Sequence, residues 1–255
     1  MMTKSHNDYF YFKVGCIVGV MFFLAACSTT NARDQDKRWS QVQLYIDLGL
    51  RYMEIGNYNV ALKKLKKAYA LDDENFSSHN ALAIFYDTTS KDDLARYHYK
   101  RATVLAPDNP SVLNNYGRFL CQHGDIKKGF GMLIKATNLP SNNKLWLTYR
   151  NAGQCQVLNG DLVLAENNFL LALGRNDRYG PAFFDLAKLK FSNREFHLAR
   201  KYVDQFFTVH VEMSASVLLA YQIAKQLGDL NVTQQYKQVL KEYFPTSREA
   251  KSLVK

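Results

Sequence analysis

One pattern recurs about every 34 residues through most of this chain, and it leaves few folds open. Tyr45, Leu48, Gly49, Tyr52, Ala61, Leu65 and Ala68 set it within residues 42–75. His79, Leu82, Ala83, Tyr86, Ala95, Tyr99, Ala102 and Pro107 carry it through 76–109. Leu113, Tyr116, Gly117, Leu120, Gly129, Leu133 and Ala136 carry it through 110–143. After two extra residues, Lys144 and Leu145, the register resumes with Tyr149, Ala152, Gly153, Ala165, Phe169 and Ala172 in 146–179. Weaker copies follow: Phe183, Leu186, Ala187, Ala199 and Val203 in 180–213, then Leu218, Ala220, Tyr221, Ala224, Leu240 and Pro245 in 214–247. Small residues at fixed places let two helices approach closely, and large apolar residues between them fill the gap. No period-two alternation competes with this helical spacing.

The spacing matches the tetratricopeptide repeat (TPR) pattern of two antiparallel helices, A then B, per repeat. The expected fold is therefore all-α, a right-handed superhelical solenoid of six TPR helix-turn-helix repeats spanning 42–255. One repeat cannot bury its apolar face alone; stacking makes a continuous core. Gly56, Gly124, Gly160 and Gly228 fall at A–B turns, where a left-handed backbone suits glycine. Ser90 and Arg194 hold that place in the second and fifth repeats, so those turns are expected to cost more. Residues 247–255 are expected to form a short C-terminal cap. At 255 residues and 47% hydrophobic, the chain has enough apolar content for such a core.

The N-terminal residues read as a targeting signal. A continuous apolar run from Val14 to Ala26 follows Lys4 and Lys13 and meets Leu24-Ala25-Ala26-Cys27. Its thirteen residues span about 20 Å as a helix, short of the ~30 Å hydrocarbon core. "LAAC" resembles the lipobox of bacterial lipoproteins. That resemblance implies a signal peptide over 1–26, cleavage before Cys27, and a covalent N-acyl diglyceride on its thiol and new amine. Ser28 after the cysteine implies sorting to the outer membrane, lipid-anchored on the periplasmic face. The polar stretch to Gln41 reads as a tether, so 27–41 is expected to be a lipidated flexible linker.

Two cysteines remain for the mature chain, Cys121 and Cys155. Both fall on A helices of adjacent repeats, where they either meet as a disulfide or pack separately as small buried thiols. No further cysteine or histidine pair stands at zinc-ligand spacing. The six histidines form no HExxH; His79 falls at a core position and reads as a packed side chain. GxSxG, P-loop and GxGxxG patterns are missing, so no enzyme, no cofactor, no metal and no small-molecule substrate are expected. The net charge of +10 permits nucleic acid, an anionic membrane or an acidic protein as partner. The export signal argues against nucleic acid. Lys63, Lys64, Lys66 and Lys67 read as a solvated face or as a contact to anionic lipid beside the tether.

In TPR solenoids the A helices line a concave groove. Here the inward positions carry Asn80, Ile84, Asn114, Arg118, Arg150, Gln154, Phe184, Lys188 and Gln222, a mixture suited to an extended or helical peptide. Ile46 and Leu50 stand where a carboxylate-clamp TPR has Lys and Asn, which excludes that mode.

Lipobox, tether and six repeats together resemble the type IV pilus biogenesis lipoprotein family, the PilF/PilW pilotins. The most specific stretches are NNYGRFLCQHGD at 114–125, NAGQCQVLNGDLVLAENNFLLAL at 151–173 and YFPTS at 243–247. The resemblance implies an adaptor that binds the pilus secretin and promotes its outer-membrane localisation and multimerisation. It also implies a disulfide between Cys121 and Cys155. The alternative is a general periplasmic TPR scaffold in envelope assembly.

Overall fold

The computed structural model describes residues 35–253, and every regular element among them is a helix. The expected signal peptide and the expected acylation site, Cys27, lie outside the described residues. The chain divides into two compact units, one reaching Leu105 and the other beginning at Ala106.

The first unit holds two helix pairs: α1 (35–54) with α2 (Tyr58–Leu71), and α3 (Phe76–Thr88) with α4 (Asp92–Leu105). These are the first two repeats. Helix α1 begins upstream of the expected boundary, so residues 35–41, expected to be part of the tether, are helical. Those seven residues contain neither Gly nor Pro. Extending a helix whose next turn is already anchored, here by Val42 at 1% exposure, costs far less than nucleating one.

The second unit holds four pairs and a cap: α5 (Pro110–Gln122) with α6 (Ile126–Thr137), α7 (Leu145–Asn159) with α8 (Leu162–Arg175), α9 (Gly180–Ser192) with α10 (Phe196–Val209), α11 (Ser214–Gln226) with α12 (Leu230–Tyr243), then α13 (Arg248–Ser252). Each B helix packs on its own A helix and on the next A helix: α6 on α7, α8 on α9, α10 on α11. The cap rests on α11 and α12, and its Ser247 hydroxyl accepts the Ala250 N–H. The small-residue rule is sharpest between α5 and α6. A Cβ on Gly117 would stand 2.9 Å from the Gly129 carbonyl, and one on Gly129 would stand 2.6 Å from both the Gly117 carbonyl and Cys121 Sγ. The two backbones touch there, and any side chain would force them apart.

All six A–B turns use one hydrogen-bond device. The residue after the turn donates its N–H five residues back: Asn57 to Tyr52, Lys91 to Tyr86, Asp125 to Leu120, Asp161 to Gln156, Glu195 to Lys190 and Asp229 to Ala224. This Schellman closure needs one residue at positive φ. Four turns meet it with glycine; Ser90 and Arg194 meet it at φ 55° and 61°. A side chain in that region costs about 1 kcal/mol. Arg194→Gly is therefore expected to raise the unfolding free energy by about 0.5–1 kcal/mol, read as a higher urea midpoint. An unchanged or lower midpoint would show that the turn is not strained.

The two extra residues between the third and fourth repeats are absorbed by a pinned loop. The buried Asn142 amide donates to the Ala136 carbonyl at 2.9 Å and to Thr148 Oγ at 3.0 Å, and its Oδ1 accepts the Lys144 N–H. Small residues give way to large ones late in the chain, where Phe206 and Leu240 are fully buried in places that Ala68, Ala102, Ala136 and Ala172 fill earlier. Phe206 is met by the rings of Phe184, Phe207 and His210, at 5.4, 5.7 and 4.9 Å.

Candidate functional site

The second unit contains a cavity of about 490 Å³ on its A-helix side. Its walls are explained by how three A helices stack. Helices α5 and α7 pack directly on each other. Cys121 of α5 and Cys155 of α7 are joined by a disulfide with a Cα–Cα distance of 5.3 Å, and both are buried. Asn151 of α7 donates to Asn114 of α5 at 2.9 Å in the same seam. Helices α7 and α9 stand further apart. The gap between them is lined by Leu162 and Phe169 of α8 beneath, the disulfide on one side and Leu189 of α9 on the other. Val157 and Leu158, at the end of α7, form an apolar rim that is 42% and 57% exposed.

Polar groups ring this apolar interior. Arg118, Gln154 and Lys188, three of the groove positions expected from sequence, all line the cavity. Arg118 Nη1 donates to Gln122 at 2.7 Å. The partner that organises Gln154 and Lys188 is Asp185, which the repeat pattern does not single out. Its carboxylate side chain is only 3% exposed. Oδ2 accepts from Arg150 Nε at 2.7 Å and from Gln154 Nε2 at 3.0 Å, while Oδ1 pairs with Lys188 Nζ at 2.7 Å. A buried carboxylate is costly unless its lone pairs are met by charged donors, and here three donors converge on it. Lys188 also lies over the Phe184 ring, 4.9 Å from its centroid. The lining thus carries two cations against one carboxylate that Arg150 already shares.

The other expected groove residues lie elsewhere. Asn114 is 5% exposed and serves the α5–α7 seam; the close approach at the disulfide encloses it, which corrects the expectation of a groove-facing side chain. Phe184 is half-buried, packed against the core cluster of Ala187, Val203 and Leu219 and outside the cavity lining. Arg150 is held by Asp185 beside the cavity. Gln222 is exposed on α11, outside the cavity lining. Asn80 and Ile84 are half-buried on α3 of the first unit. Ile46, read as a groove position, is 4% exposed and belongs to the core of that unit.

Two buried polar clusters lie outside the cavity. Lys190 is 7% exposed at a place where the first three repeats put Tyr52, Tyr86 and Leu120. Burial works to lower its pKa, but Nζ bonds to Glu166 at 2.8 Å and Glu195 at 3.1 Å offset this, and the net shift is upward. In the first unit His79 and His98 are both buried, with Nδ1 atoms 2.9 Å apart. His79, read as a packed side chain, is thus a packed side chain with a partner. Lys64 and Lys67 of α2 lie 5.8 and 5.5 Å from the Tyr45 ring centroid, while Lys63 and Lys66 are exposed.

No family model matches the chain. It is 30% identical over 208 residues to the type IV pilus assembly protein PilF of Pseudomonas aeruginosa, covering 80% of this chain and 81% of that protein. Among solved structures it resembles PilW, described as a widely conserved type IV pilus biogenesis factor. The TM-score is 0.76 and the identity 26%, over 84% of this chain and 98% of PilW. The solved structure of Pseudomonas aeruginosa PilF gives a TM-score of 0.70 and 28% identity, over 85% of this chain and 98% of PilF. Helix pairs and similarity over about four-fifths of the chain agree: the chain belongs to the PilF/PilW family of TPR proteins of type IV pilus biogenesis.

Proposed function

We infer that this protein is a pilotin: an outer-membrane lipoprotein adaptor that binds the secretin of the type IV pilus and promotes its localisation and multimerisation. The observation that carries the reading is the similarity to PilF along four-fifths of the chain. The Leu24-Ala25-Ala26-Cys27 motif supplies the anchor, since several acyl chains at ~0.8 kcal/mol per buried methylene hold a protein on a membrane. The ringed cavity of the second unit supplies a surface that another protein can grip.

Deletion of the gene is expected to abolish heat-resistant secretin multimers on a blot of outer-membrane fractions. Cys27→Ala is expected to leave a folded protein that no longer fractionates with the outer membrane. Normal multimers in the deletion strain would overturn the pilotin reading and leave a general envelope scaffold. An unchanged fractionation of the cysteine variant would overturn the anchor.

A further inference from the structure

The geometry points to the cavity between α7 and α9 as the seat for one large apolar side chain of an acidic protein segment. This rests on the reading of the protein as a protein-binding adaptor and names the chemistry of what it binds. The interior is apolar, built from Leu162, Phe169, Leu189 and the disulfide, and its volume of about 490 Å³ lies in the range of pockets that take organic groups. Val157 and Leu158 carry the apolar surface out past the rim, so an occupant gains by continuing along α7 rather than ending inside.

Charge selects the occupant. Arg118 and Lys188 line the cavity, and Asp185 is the one carboxylate among its lining residues. That carboxylate is already bonded to Arg150, Gln154 and Lys188. The acid holds Arg150 and Lys188 in place, and its single charge balances only one of the two. A carboxylate on the incoming segment, within about one helical turn of the anchor side chain, therefore meets preorganised donors, whereas a basic segment meets repulsion. Aromatic or leucine anchors suit the apolar floor, because central desolvated pockets carry most of the energy of such contacts.

The test is selection of a phage library of short random peptides on the full mature chain. Enriched sequences are expected to pair an aromatic or leucine residue with Asp or Glu within one turn. Binding of an enriched synthetic peptide is expected to fall about tenfold or more in Lys188→Glu and in Leu158→Glu. Leu158 is more than half exposed, so that variant keeps its fold. Leu171→Glu, on an exposed part of α8 outside the cavity lining, is expected to bind as wild type. Enrichment without carboxylates, or equal binding by the Lys188 and Leu158 variants, would overturn the inference. So would self-association of the wild-type chain that Leu158→Glu disperses, because the cavity would then be filled by a second copy. The pilotin reading fails separately: if the selected peptides behave as expected but secretin multimers persist on deletion, the cavity stands and its partner is another protein.

Discussion

Loss of the Cys121–Cys155 bridge is expected to lower stability by about 3–4 kcal/mol, the chain-entropy value for a closed loop of this length. The bridge spans 34 residues of sequence and joins α5 to α7, so its removal frees the whole α6 segment between them in the unfolded chain. For a domain this size the corresponding drop in Tm is about 10 °C. The clean comparison is thermal unfolding of the wild-type chain with and without reductant, beside Cys121→Ala/Cys155→Ala. The double variant should match the reduced wild type and stop responding to reductant. The effect reaches the cavity, because the disulfide is one of its walls and joins the helices that carry Arg118 and Gln154. A Tm shift of only a few degrees would show that the α5–α7 seam at Asn114 and Asn151 holds the two helices without it.

The second large effect is a loss of stability in the first unit as pH falls. His79 Nε2 lies 2.9 Å from the Asp73 carbonyl, which can only accept, so that nitrogen carries a hydrogen. In the neutral ring Nδ1 is then an acceptor, and the hydrogen in the Nδ1–Nδ1 contact belongs to His98. Tyr69 of α2, Tyr86 of α3 and Tyr97 of α4 surround the two rings. Of the charged groups that act on His79, Arg101 of α4 opposes protonation and Asp73 favours it. Burial is the dominant cause of both downward shifts; it takes His98 from 6.5 to about 4, with His79 adding to the effect. The unfolded chain thus binds a proton that the folded chain refuses. The contribution is complete above pH 6.5 and declines as pH falls toward 4. For His98 alone it amounts to about 3 kcal/mol. His98→Gln keeps a donor for His79 Nδ1 but does not titrate. The measurement is chemical denaturation across that pH range. The wild-type curve should fall more steeply than the variant's; parallel curves would refute the account.

Much of the fold was legible because the repeat is a packing rule written in residue size. Ala61, Ala95, Ala165 and Ala199 are all fully buried where the spacing places them, and the six turns fall where Gly, Ser90 and Arg194 predict. The fifth repeat was faint because Phe206 and Lys190 break the rule on side-chain size or charge while keeping the helix pair. Residues 35–41 were read as tether because their composition is polar; a helix one turn further on was enough to extend through them.

The candidate site was legible only in part. Periodicity assigns Arg118, Gln154 and Lys188 to a common face, and the structure gathers them at one cavity. It says nothing of how far apart neighbouring A helices stand, and that distance decides the rest. Where α5 and α7 are drawn together, Asn114 is shut in; where α7 and α9 separate, Leu158 and Asp185 become the wall and the keystone of a cavity. The sequence by itself determined the helix pairs, their order and their turns, because those depend on local spacing and backbone conformation. Only the tertiary structure decided which polar side chains are spent inside a seam and which stay available to a partner, because that depends on separations between helices that no single helix encodes.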